Sequence, residues 1–126
     1  MKMIDNILNK DTTKLTFKER QLVVNYFRYL TNKEFEHFKE NFLKKDKQEI
    51  FERAYLIDTY DNIRIRLQGL SFYTIIKLLK YQKDGFIDYM YNEDVSDGVF
   101  DYYDDIENRI LQVISKLKQD NEMKVA

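Results

Sequence analysis

Apolar residues recur at three- and four-residue intervals along most of the chain, a spacing that places them on one face of an α-helix. The first such stripe runs from Phe17 to Leu30. It follows Thr16, which together with Glu19 has the form of a helix-capping box. A second capping box, Thr31 to Glu34, precedes three phenylalanines at the same spacing. We therefore predict two consecutive helices that meet near Thr31.

Two more helices are predicted in the middle of the chain. Asp46 can cap a third helix, whose apolar positions continue from Ile50 to Leu67. Gly69 is expected to end it, because glycine tolerates the left-handed conformation found after many helices. Ser71 can cap a fourth helix, and the hydrophobic residues from Phe72 to Leu79 cover most of its circumference. Such a helix is typical of a buried, central element.

The C-terminal third has a weaker pattern until its last helix. A short helical turn is predicted from Phe86 to Tyr91 and a loop from Asn92 to Gly98. Apolar residues then follow a four-three-four rhythm from Val99 to Leu117, which predicts a final helix. Residues 120–126 form a polar tail that we expect to fray. The whole pattern predicts an all-α fold, a single compact domain of five or six helices over residues 1–126, with the fourth and last helices at its core.

The composition agrees with a helical domain and excludes several kinds of site. The 126 residues include three glycines and no proline, whereas sheet-rich domains use many glycine and proline turns. The absence of cysteine excludes disulfides, thiolate zinc sites and cysteine nucleophiles, and it fits a cytoplasmic location. The longest apolar run, Leu70 to Leu79, is about half of a membrane span. Met1 to Lys10 carries mixed charge and does not resemble a signal peptide.

Charge is distributed very unevenly along the chain, although the net charge is only −1. Residues 84–107 contain nine carboxylates and no lysine or arginine, and tyrosines and phenylalanines lie among them. Residues 14–83 hold fifteen basic and nine acidic side chains. A concentrated negative field attracts basic surfaces and repels nucleic acid. The acidic segment, residues 84–107, therefore points to a partner protein with a basic surface.

Part of the acidic segment has a structural explanation, because acids in the first turns of the final helix favour its dipole. The remaining residues are predicted to face outward and to bind the partner: Asp88, Tyr89, Tyr91, Glu93, Asp94, Asp101, Tyr102 and Asp105. Exposed tyrosines beside carboxylates suit contacts with arginine and lysine. Three interpretations stay open: a nucleic-acid mimic that fills the basic groove of an enzyme, an acidic docking face for a regulatory partner, and a merely solubilising surface.

No catalytic residue, metal site or cofactor is predicted. His37 is the only histidine, and we expect it to face solvent on a helix. Three isolated glycines cannot build a phosphate-binding loop. Several of four aspartates near the start of the final helix share a helix face, and we interpret the group as dipole-stabilising rather than metal-binding: Asp97, Asp101, Asp104 and Asp105. The protein is therefore predicted not to be an enzyme.

Two other functional classes compete with protein binding. The helices that meet near Thr31 have the outline of a helix-turn-helix, and this favours a small DNA-binding regulator. However, the second of these helices carries three glutamates, which would face phosphates unfavourably. The stripe from Val99 to Leu117 could also pair two copies of the chain in a homodimer.

The chain also resembles an uncharacterised family of small helical proteins from phages, plasmids and other mobile elements of Gram-positive bacteria. The resemblance depends on Glu49–Tyr55, on Ile76–Leu79 and on the acidic, aromatic segment that ends in Tyr102–Tyr103, and it covers roughly residues 35–117. It implies a mobile-element context, in which small acidic proteins often inhibit host defence as anti-CRISPR or anti-restriction proteins. It supplies no catalytic residues. We therefore expect an inhibitor that binds the basic surface of a host nucleic-acid enzyme.

Overall fold

The computed structural model describes residues 2–82 and 85–92, together with two isolated helical positions, Gln112 and Ser115. The described residues form no strand, and their α-helices are α1 (Lys2–Leu8), α2 (Phe17–Leu43), α3 (Lys47–Arg53), α4 (Tyr55–Gln68), α5 (Phe72–Tyr81) and α6 (Phe86–Met90). The predicted all-α fold is confirmed. The predicted final helix and frayed tail lie outside the described residues, apart from Gln112 and Ser115.

Helix α2 organises the domain, since its 27 residues pack against α1, α4, α5 and α6. Its start is the predicted capping box. The Thr16 hydroxyl accepts a hydrogen bond from the Glu19 amide at 3.1 Å, and the Glu19 carboxylate accepts one from the Thr16 amide at 3.1 Å. Two of the amides that every helix start leaves unpaired are thereby satisfied.

The predicted helix boundary at Thr31 is wrong, because α2 runs through this position without a break. Thr31 is fully buried, and its hydroxyl donates back to the carbonyl oxygens of Phe27 and Arg28 within the same helix. The hydroxyl also accepts a hydrogen bond from the Gln68 amide of α4 at 2.9 Å. The Thr31 hydroxyl therefore does not cap a helix. Without a helix boundary at this position, the predicted helix-turn-helix is absent from this part of the structure.

One continuous core joins α2 to α1, α4, α5 and α6. Val23 and Phe27 of α2 lie at its centre, with no exposed surface. Helix α5 begins after the Ser71 cap and buries residues around most of its circumference: Thr74, Ile75, Ile76, Leu78 and Leu79. The prediction of a central, buried fourth helix is confirmed, and in the structure this helix is α5.

The predicted third helix is in fact two helices. Asp46 caps α3 as expected, but a turn at Ala54 separates α3 from α4, where the Ile57 amide donates to the Ala54 carbonyl. None of the residues of helix α3 is fully buried, and Ile50 is half-buried. Helix α4 ends at Gly69 as predicted, yet Gly69 has φ −90° and does not adopt the left-handed conformation.

The positive-φ residue among those described is Gly85, with φ 66°. It directly precedes α6, the predicted short helical turn, and residues other than glycine rarely adopt this backbone conformation. This turn directs Phe86, Ile87 and Met90 into the core. The start of the acidic segment is consequently anchored to the rest of the domain.

Candidate functional site

A pocket of 590 Å³ lies between the C-terminal half of α2, the middle of α4 and the start of α6. Six residues at three- and four-residue spacing on one face of α2 form its first wall: Leu30, Lys33, Glu34, His37, Phe38 and Asn41. The opposite wall consists of Tyr60 from α4 and of Gly85, Phe86 and Asp88. Its volume falls within the range of about 300–1,000 Å³ that is usual for ligand pockets.

Two aromatic residues of the pocket wall, Phe38 and Tyr60, belong to a cluster of packed rings. Phe38 and Tyr60 stack almost in parallel, with ring centroids 3.9 Å apart and 9° between the planes. Tyr91 leans against Tyr60 at 5.1 Å, and Phe42 stacks on Phe38 at 5.8 Å. Because these rings pack on both sides of the Phe38–Tyr60 pair, they hold the wall between α2 and α4 in one arrangement.

Glu34 fastens the start of α6 to α2. Its two carboxylate oxygens accept hydrogen bonds from consecutive backbone amides, that of Ile87 at 2.9 Å and that of Asp88 at 3.0 Å. The side chain is half-buried, so water competes only partly for these bonds. Hydrogen bonds to a charged acceptor are stronger than those between neutral groups. Glu34 therefore fixes the backbone that carries Asp88.

Tyr60 orients the Asp88 side chain itself. The Tyr60 hydroxyl donates to Asp88 Oδ1 at 2.6 Å, while Asp88 remains exposed at the edge of the pocket. Burial raises the pKa of the Tyr60 hydroxyl well above its ordinary value, and the hydrogen bond to Asp88 and the charge of Asp88 raise it further. The Tyr60 hydroxyl therefore stays protonated and keeps donating throughout the physiological pH range.

This arrangement predicts a specific effect of Tyr60→Phe. At neutral pH the lost hydrogen bond should lower the free energy of unfolding by about 1 kcal/mol, since the exposed Asp88 can bind water instead. The raised folded-state pKa of Tyr60 contributes stability that is complete below about pH 10, the value in the unfolded chain, and is lost as the pH rises further. Above that pH the unfolding free energy of the wild type should therefore fall more than that of the variant. Urea unfolding at a series of pH values measures this difference.

The exposed Tyr29 provides the control, since its ring is 53% exposed and only the Lys33 ammonium lies over it. Tyr29→Phe should leave both the neutral and the alkaline stability near those of the wild type. Equal behaviour of the two variants would contradict the role given to Tyr60.

The structure describes three of the eight residues predicted to bind a partner. Asp88 is exposed as expected, whereas Tyr89 and Tyr91 are half-buried and pack against the core instead of standing free. The other five predicted residues lie outside the described part of the chain: Glu93, Asp94, Asp101, Tyr102 and Asp105. The structure thus places one predicted carboxylate at a pocket and assigns two predicted tyrosines a packing role.

Glu34 and Tyr60 are site residues that the sequence interpretation missed. Glu34 has the form of half a capping box for a helix that does not begin there, and no local signal distinguishes Tyr60 within the predicted third helix. His37 is exposed as expected, but it also lines the pocket. A possible signal for Glu34 was its place on the same α2 face as Phe38 and His37, although its partner is more than 50 residues away.

Within residues 2–82 and 85–92, histidines and carboxylates do not gather into a group of three or more that could hold a metal ion. Over the same part of the chain, none of the helices combines the length and the apolar character needed to cross a membrane. The residues that line the pocket offer hydrogen-bonding groups, charged groups and aromatic surface.

The chain matches no family model, no curated protein and no solved structure. The resemblance to mobile-element proteins stays a prediction.

Proposed function

We propose that this protein is a non-enzymatic binding protein whose acidic segment, residues 84–107, docks on the basic surface of a partner protein. Nine carboxylates without a single lysine or arginine repel one another at a small energetic cost, which favours a use for them. Such a field also accelerates association with an oppositely charged surface.

The observation that carries this proposal is the way the start of the segment is held. The Glu34 carboxylate of α2 accepts hydrogen bonds from the amides of residues 87 and 88, and the Tyr60 hydroxyl of α4 donates to the Asp88 side chain. Asp88 nevertheless remains exposed. A carboxylate that is already oriented loses less conformational entropy when it binds than a freely rotating one. The geometry is that of a fixed contact point near the start of the acidic segment.

The partner that best fits this surface is a nucleic-acid enzyme of the cytoplasm. Such enzymes present basic grooves that neutralise phosphates, and a run of carboxylates offers a comparable density of negative charge. Occupation of the groove would exclude the nucleic acid. The proposed activity is therefore inhibition, of the anti-restriction or anti-CRISPR type that the resemblance to mobile-element proteins implies.

The competing function classes have less support. The continuous α2 lacks the joint near Thr31 that a helix-turn-helix needs, so the DNA-binding regulator loses its structural basis. Catalysis would need a nucleophile in contact with a base. In the part of the chain that the structure describes, His37 forms no hydrogen bond with a hydroxyl group.

A capture experiment with two charge-matched variants tests the proposal. In the first variant asparagine replaces four aspartates of the acidic segment: Asp97, Asp101, Asp104 and Asp105. In the second, Asp5→Asn is combined with Glu36→Gln, Glu40→Gln and Glu52→Gln, all at exposed positions outside the segment. Both variants gain the same net charge, so only the location of the charge differs.

We expect the wild type and the second variant to capture the same partner from host lysate, and the first variant to lose it while remaining folded by circular dichroism. The captured complex should dissociate as salt is added, because its contacts are largely electrostatic. Equal capture by the two variants would overturn the proposal.

A further inference from the structure

We infer that the pocket between α2, α4 and α6 receives an arginine side chain of the partner protein. This inference rests on the proposed function, and it names the chemical group that the fixed end of the acidic segment recognises. It follows from the volume and lining of the pocket and from the negative charge of Asp88 at its edge.

The volume and lining of the pocket suit a long side chain with an apolar stem. Leu30, Phe38 and Phe86 supply apolar lining, and Phe86 itself is 2% exposed. The methylene groups of arginine commonly pack along such surfaces while the charged end stays near water. The aromatic lining adds attraction, since a guanidinium group lies favourably against aromatic rings.

The edge of the pocket supplies the negative charge. Asp88 Oδ1 accepts the hydrogen bond from Tyr60, while Oδ2 forms no hydrogen bond with the part of the chain that the structure describes. The Glu34 carboxylate lies directly behind the Asp88 amide, at 3.0 Å, and adds a second negative charge to the same wall. The planar guanidinium fork can donate several hydrogen bonds to such a carboxylate, which a lysine ammonium does less well.

Lys33 is a cationic residue of the described lining. Its ammonium lies 5.7 Å from the centre of the Tyr29 ring, and Tyr29 is not part of the lining. Asn41 and His37 extend the α2 wall with groups that can accept further hydrogen bonds. The balance of charge and shape therefore favours a guanidinium group over an anion or a purely apolar ligand.

The inference can be tested on the full chain with a defined probe. Isotope-labelled protein is titrated with N-acetyl-arginine amide and, separately, with N-acetyl-citrulline amide, which has nearly the same shape but no charge. We expect saturable shifts of the Phe86, Ile87 and Asp88 amide signals with the arginine probe, and binding at least about tenfold weaker with citrulline, equivalent to 1.4 kcal/mol. Equal shifts with both probes would overturn the inference.

Variants locate the binding and separate the two proposals. Asp88→Asn should abolish the preference for arginine, whereas Asp5→Asn, at an exposed position outside the pocket, should retain it. An arginine preference that survives Asp88→Asn would also overturn the inference. The capture variant with its four substitutions leaves Asp88 intact. If that variant loses capture but the wild type shows no preference for arginine, the arginine pocket is rejected and the proposed function stands. If the wild type prefers arginine but that variant still captures the partner, the proposed function is rejected.

Discussion

Replacement of Phe27 by alanine is expected to lower the free energy of unfolding by about 3–5 kcal/mol. Phe27 has no exposed surface, and its ring meets that of Phe86 edge to face, with centroids 5.1 Å apart. The substitution removes a large buried side chain from the centre of α2 and leaves a cavity that the surrounding helices fill only in part. A domain of this size has about 5–15 kcal/mol of stability in total, so the loss should be severe.

Urea unfolding followed by circular dichroism measures this effect. Phe51→Ala is the matched control, because Phe51 is 82% exposed and its truncation should change stability by no more than about 0.5 kcal/mol. Similar midpoints for the two variants would show that Phe27 does not lie at the centre of the core. Since Phe86 belongs to α6, the Phe27 variant should also weaken the attachment of the acidic segment.

Replacement of Glu34 by alanine is the second large change, with an expected loss of about 2–3 kcal/mol. The carboxylate accepts the amides of Ile87 and Asp88, and a hydrogen bond to a charged group contributes about 1.5–3 kcal/mol net. The expected loss of unfolding free energy is smaller than the contribution of two such bonds, because Asp88 is exposed and its amide can bind water after the substitution. Glu34→Gln keeps a single carbonyl acceptor and should lie between the wild type and alanine.

Amide hydrogen exchange distinguishes a local effect from a global one. The Ile87 and Asp88 amides should exchange faster in Glu34→Ala than in the wild type, and by a larger factor than amides of α5. Glu36→Ala, a change of the same type at an exposed site two residues away, should alter neither exchange nor stability appreciably. Unchanged protection of Ile87 and Asp88 in Glu34→Ala would contradict the role of Glu34 as the anchor of α6.

The fold was predictable wherever local signals and packing agree. The Thr16 capping box, the Ser71 cap and the apolar circumference of α5 each reflect nearby residues, and the structure contains all of them. Helix α1 was missed, although Ile4 and Ile7 have helical spacing and are buried. Its stripe is one turn long, which is too short to distinguish from chance.

The errors arose where distant residues decide the local structure. Thr31 to Glu34 reads as a capping box, yet Thr31 bonds to Gln68 and Glu34 bonds to α6, both far away in sequence. Local rules could not reveal these partners, because they depend on how the helices pack. For the same reason the charge of the acidic segment was visible in sequence, whereas the pocket beside Asp88 was not.

The most direct test of the central claim, that an oriented Asp88 begins the partner-binding surface, is the affinity of the purified, captured partner for Asp88→Asn and for Asp5→Asn. Both substitutions remove one exposed carboxylate, and only Asp88 is held by Tyr60 and Glu34. Isothermal titration at low salt should show binding weakened about tenfold or more for Asp88→Asn, and nearly unchanged for Asp5→Asn. Equal affinities for the two variants would contradict the claim.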